Sequence, residues 1–121
     1  MLTGGASRRI GADKASVPIG GVPLAERLVR ALLDCGYVVT VLGRAPVPGC
    51  GFVADAEDCQ GPASALSRFQ PSAEQVFVMP CDVARFDPRV VALMRDRIAG
   101  WDAVAPVLGD VSQPLCALYR A

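Results

Sequence analysis

The chain contains no histidine. A Ser-His-Asp triad, a Cys-His dyad and histidine-ligated zinc are therefore excluded together. Its five cysteines, Cys35, Cys50, Cys59, Cys81 and Cys116, form no C-x-x-C pair and leave one odd. They read as reduced thiols of a cytoplasmic protein rather than as a disulfide framework. No apolar run approaches the ~18 residues of a membrane span, and no basic-apolar-small leader is present. Formal net charge is zero, which gives no ground for general adhesion to nucleic acid or to an anionic membrane. With 121 residues, 52% of them apolar, the chain has enough material for one core and reads as a single domain over 1–121.

Against these absences stands residues 4–14, Gly4-Gly5-Ala6-Ser7-Arg8-Arg9-Ile10-Gly11-Ala12-Asp13-Lys14. Glycines let a backbone turn sharply and approach a ligand, so that bare N–H groups face phosphate oxygens. Arginine and lysine supply the positive charge that a triphosphate requires beside it. The run points to a nucleotide. It is not a Walker A loop, because Ala12-Asp13 separate Gly11 from Lys14 and Ala15 follows. It is not a dinucleotide fingerprint either, since glycines at 4, 5 and 11 do not fit G-x-G-x-x-G.

The order of elements predicts where such a loop sits. Met1-Leu2 reads as the stub of a first strand, and residues 17–21 as a short extended piece closing in a turn. Pro23 suits the first turn of a helix in which Leu24, Leu28, Leu32 and Leu33 recur at helical spacing up to Gly36. Residues 37–42 and 75–79 are β-branched, continuous runs of the kind buried on both faces of a parallel sheet. Residues 52–54, 103–107 and 115–119 read as further strands. Helices are predicted over 62–69 and from Pro88, the latter with Val90, Val91, Leu93, Met94 and Ile98 on its apolar side. Alternating strands and helices give an α/β class with a mainly parallel sheet flanked by helices. Ligands of open parallel sheets bind beyond the carboxyl ends of the strands. The glycine loop, Asp55 and Asp82 each follow a predicted strand directly, so three segments are expected to converge on one rim.

Asp82 closes Val76-Phe77-Val78-Met79-Pro80-Cys81-Asp82. A carboxylate at that tip suits Mg²⁺, which takes one or two carboxylates together with phosphate oxygens and water; a turn or capping aspartate is the plain alternative. Asp55 stands six residues before Gly61-Pro62. Glu57 and Asp58 read as a solvated acidic turn. If the attacking group is a phosphate, it is already ionised at neutral pH and requires no general base, so the missing histidine is no obstacle. Catalysis then reduces to positioning and charge neutralisation.

The spacing G-G-x-S-x-R-[apolar]-G-x-D-K resembles the signature loop of the MobA-like nucleotidyltransferases, which include the molybdenum cofactor guanylyltransferases. Pro80-Cys81-Asp82, Asp55 before Gly61-Pro62, and Pro114-Leu115-Cys116-Ala117-Leu118-Tyr119 are similar to further stretches of that family, from Leu2 to Tyr119. The resemblance implies a Rossmann-like nucleotidyltransferase fold, truncated here at both ends. It implies GTP as donor, Mg²⁺ as cofactor and the molybdenum cofactor (molybdopterin) as acceptor, with no nucleic-acid or membrane partner. Nucleotide contacts are expected from Leu2, Thr3, Gly4, Gly5, Lys14, Asp55 and Asp82. Lys14 and Asp82 are the expected catalytic residues, Asp82 holding the metal, and Arg8 or Arg9 assists on the triphosphate. Gly4-Gly5 favours guanylyl over cytidylyl transfer. Cytidylyl transfer, nucleotidyl transfer to a sugar phosphate, and non-catalytic nucleotide binding are the alternatives. The chain departs from the family where an asparagine commonly follows the second strand, for it has Leu42-Gly43-Arg44, and at Ala63-Ser64-Ala65.

Overall fold

A computed structural model describes residues 1–4, 14–55, 61–83 and 85–121. Gly5, Arg8, Arg9, Gly11, Glu57 and Asp58 lie outside the described residues. After a 3₁₀ turn at Lys14–Ser16, β1 (Pro18–Ile19) and β2 (Val22–Pro23) form an antiparallel hairpin. Pro23 both pairs with Pro18 and caps α1 (Leu24–Asp34), one position earlier than the first-turn place predicted for it. Along α1, Leu24, Ala25, Leu28, Val29 and Leu32 are buried, a stripe at helical spacing that faces the sheet. Leu33 points away and is 36% exposed. The helix stops at Gly36, whose φ of 80° suits a residue without a Cβ. The amides of Gly36 and Tyr37 bond back to the carbonyls of Leu33 and Leu32 at 2.8 and 3.1 Å.

The sheet grows from the middle. Leu2 bridges in parallel to Leu42 and to Pro80, and so links β3 (Thr40–Gly43) to the far end of β5 (Gln75–Val78). β4 (Gly51–Ala54) pairs in parallel on the outer side of β3. Beyond β5 come β9 (Ala117–Arg120) and then β6 (Ala103–Val104), both pairings antiparallel. The half of the sheet that carries the strand exits is thus parallel, and one reversed strand makes the whole mixed. Helices α2 (Pro62–Ser67) and α3 (Arg89–Arg95) complete the α/β order. Val29 and Val41 are fully buried and Met79 is 1% exposed, and together they centre the core under α1. Each such side chain contributes on the order of 1.5–3 kcal/mol of burial free energy.

Three expectations are corrected. The strand predicted over 37–42 begins only at Thr40, and Val38 is 94% exposed. The run predicted over 103–107 splits at Ala105-Pro106 into β6 and β7 (Val107–Leu108), since proline brings no N–H to a ladder. β7 then turns through Gly109-Asp110 into β8 (Val111–Ser112), a hairpin absent from the sequence reading. In α3 it is Val91 and Met94 that are buried, while Leu93 is 53% exposed.

Between the amino-terminal parts of β3 and β5 lies a solvent-open cavity of about 600 Å³, lined among others by Val39, Thr40, Val76, Phe77 and Val78. Main-chain groups alternate sides along a strand. Glu74 O accepts from Ala121, and Met79 O from Leu2, so even residues of β5 face β9 and odd ones face the cavity. The same parity on β3 turns Thr40 inward, its carbonyl taking the Met1 nitrogen at 2.7 Å, and Val41 outward to β4. Backbone hydrogen exchange is therefore expected to be faster at Gln75, Phe77 and Thr40 than at Val76, Val78 and Val41, by on the order of tenfold or more. Equal protection along β5 would contradict this pairing.

Candidate functional site

The site is built from the carboxyl ends of the parallel strands. Leu2 donates to Met79 O at 2.8 Å and accepts from the Cys81 amide at 2.9 Å. Thr3 donates its amide to Leu42 O at 2.9 Å, and Leu42 donates to Met1 O at 2.9 Å. These bonds set Gly4 and Asp82 level with each other, two residues beyond Leu2 and Pro80 respectively. From β4, the Asp55 amide donates to Gly43 O at 2.8 Å, which brings the third exit to the same rim.

Two contacts join the exits. The Asp55 carboxylate lies against the α-carbon of Gly4, so closely that a Cβ there would stand 3.0 Å from Asp55 Cγ and overlap Oδ2. Across the rim, Lys14 Nζ and Asp82 Oδ2 form an ion pair at 3.4 Å. Lys14 is placed by its neighbour: Ala15 is buried in one cluster with Ala25 and Cys81, the residue before Asp82. Leu2 and Thr3 are buried at 7% and 9% exposure, Gly4 is exposed and Asp55 half-buried. Of the residues expected to act, the structure thus gathers Leu2, Thr3, Gly4, Lys14, Asp55 and Asp82. Gly5 lies outside the described residues.

One contributor escaped the sequence reading. Gly43 ends β3 directly beneath Thr3, and a Cβ there would overlap Thr3 Oγ1. Its signal in the sequence was present, a glycine closing a β-branched run. What it approaches was not visible.

The rest of the chemistry is quickly bounded. Cys35, Cys50, Cys81 and Cys116 are thiols, not half-cystines. Burial pushes the Cys50 and Cys116 thiols up from their ordinary value, which disfavours the nucleophilic thiolate. Among the described residues no group of three His, Cys, Asp or Glu side chains could hold a metal by itself. Asp82 is a carboxylate at an open rim, paired with a lysine. That donor set fits Mg²⁺ arriving with phosphate oxygens and water, the usual company of this ion. It does not fit an all-protein cage.

The MobA-like NTP transferase domain family matches residues 1–121. The chain belongs to that family. A Bacillus subtilis protein named probable molybdenum cofactor guanylyltransferase is 34% identical over 129 residues, covering 99% of this chain and 65% of that one. A Trichormus variabilis protein of the same name is 28% identical over 136 residues, covering 99% of this chain and 64% of its own. Molybdopterin-guanine dinucleotide biosynthesis protein A from Archaeoglobus fulgidus has a similar fold, with a TM-score of 0.72 at 24% identity over 98% of this chain and 65% of that one. A Mycobacterium tuberculosis structure gives the same TM-score at 18% identity. The chain spans a little under two thirds of the length of the two probable guanylyltransferases and of the Archaeoglobus fulgidus protein, and 68% of the Mycobacterium tuberculosis one. Among the described residues no helix is long and apolar enough to cross a membrane.

Proposed function

We propose that this MobA-like domain binds GTP with Mg²⁺ and transfers GMP to the terminal phosphate of the molybdenum cofactor, releasing pyrophosphate. The observation that carries the reading is the convergence of three strand exits on one rim, with Lys14 and Asp82 paired at 3.4 Å on it. The names of the relatives supply the choice of guanylyl donor and molybdopterin acceptor.

Chemically, an oxygen of the acceptor phosphate forms the new bond to the α-phosphorus of GTP. The bond from that phosphorus to the bridging oxygen of the β-phosphate breaks, and the electron pair leaves with pyrophosphate. The nucleophile is ionised, so no side chain has to take a proton; the chain has no histidine to do so. Lys14 neutralises charge gathering on the departing pyrophosphate. Asp82 holds Mg²⁺, which when bound shields the phosphate oxygens. The main chain of Leu2, Thr3, Gly4 and Gly5 seats the nucleotide with Asp55, and Arg8 or Arg9 assists on the triphosphate. Reduced thiols and a nucleoside triphosphate substrate fit a cytoplasmic enzyme.

The test is pyrophosphate release from GTP, CTP, ATP and UTP in turn, with Mg²⁺ and molybdenum cofactor. Release from GTP alone is expected. Release from CTP instead would make the domain a cytidylyltransferase. Calorimetric GTP binding without release from any of the four would make it a binding domain, and no heat with millimolar GTP would end the nucleotide reading.

A further inference from the structure

Neither Gly43 nor Gly4 has a positive φ. Their backbones are open to any residue, so conformational freedom is not what glycine provides here. Close approach is. Above Gly43, a Cβ would overlap Thr3 Oγ1 and stand 3.1 Å from Gly4 N and 3.2 Å from Thr3 Cβ. Above Gly4, the corresponding space is filled by the Asp55 carboxylate. Each glycine thus receives a neighbour's side chain, and Gly4 is held between the two. Thr3 Oγ1 is not passive in this. It is buried and donates to Leu42 O at 3.3 Å, the same carbonyl that takes the Thr3 amide.

We propose that Gly43 is a positioning residue for nucleotide binding: its bare surface lets Thr3 and Gly4 settle onto β3 and so sets the height from which the phosphate loop leaves the sheet. The inference rests on the nucleotide reading given above. Gly43 touches no phosphate in this account. It acts through Thr3, whose hydroxyl takes the place that a Cβ at 43 would occupy. A methyl group at 43 displaces Thr3, whose Oγ1 it would overlap and whose Cβ it would meet at 3.2 Å. Small displacements of positioning groups have large effects on bound geometry, up to about a hundredfold for 1 Å.

The experiment is a double-mutant cycle on Gly43→Ala and Thr3→Ala, read by GTP·Mg²⁺ affinity in calorimetry and by thermal melting. In the wild-type background Gly43→Ala is expected to weaken GTP by about tenfold to a hundredfold. In the Thr3→Ala background Oγ1 is gone while the contacts to Gly4 N and to the Cβ of residue 3 remain, so the same change is expected to cost less than in the wild type, by about threefold or more. In a Thr3→Ser background, where Oγ1 remains, the full cost is expected to persist. If Gly43→Ala does not fold, the proposal stands on Thr3→Ala/Gly43→Ala folding and binding GTP; failure of that double variant to fold overturns it. A Gly43→Ala protein that melts lower but binds GTP normally also overturns it, since the residue would then be structural alone. Absence of GTP binding by the wild type would instead remove the nucleotide reading, and the steric coupling of 3 and 43 would still be read in the melting temperatures.

Discussion

Replacing Asp82 by asparagine is expected to lower pyrophosphate release by about a hundredfold to a thousandfold, with the fold intact. The magnitude is that of deleting one preorganised charge-stabilising group from a site. Asparagine keeps the shape and loses the charge, and an amide is a poor ligand for Mg²⁺ where a carboxylate is required. The side chain is 51% exposed and its partner is an ion pair at the surface, so stability should shift by no more than about 0.5 kcal/mol. A magnesium titration of GTP binding and a melting curve check both halves. Metal-dependent binding that survives the substitution would show that the metal is held elsewhere on the rim. Glu57→Gln is the control, expected to change little because that residue was read as part of a solvated turn.

Lys14→Met is expected to act in opposite directions on two measurements. Turnover should fall by about a hundredfold, since the charge facing the leaving pyrophosphate is gone while the apolar stem stays. Affinity of the nucleotide-free protein for Mg²⁺ should rise, by a factor of up to about five. The reason lies in the 3.4 Å pair: without nucleotide, Lys14 and the metal compete for one carboxylate. Both side chains are half open to water, at 42% and 51% exposure, so the pair contributes only about 0–1 kcal/mol. That caps the gain. Weaker metal binding in the variant would contradict the competition, and unchanged turnover would remove Lys14 from the chemistry.

Much of this rim was legible in the chain. Asp55 and Asp82 follow β4 and β5 as the run of apolar residues before each predicted, and parallel pairing carries both to one edge. α1 was legible from its leucines and from Gly36. Less legible was anything decided by what packs alongside. Val38 belongs to a β-branched run yet is 94% exposed, because residue type gives strand preference but not a partner. Gly109-Asp110 turns β7 into β8 with a Gly109 φ of 60°, a two-residue turn of recognisable composition in a stretch to which the sequence reading assigned no element, between the strands expected over 103–107 and 115–119. Gly43 was noticed as a departure from the family pattern, whereas its meaning depends on a threonine forty positions earlier in the chain. No local pattern reports such a contact.

The space between β3 and β5 has a consequence for solvent rather than for packing. It is open, so water fills it, and water supplies partners to the main-chain groups of Gln75, Phe77 and Thr40 that face it. Val76 and Phe77 on its wall are only half-buried, and their apolar surface is partly wet. The amino-terminal ends of these two strands are therefore held less firmly than the rim, where Thr3, Gly4 and Gly43 are locked together.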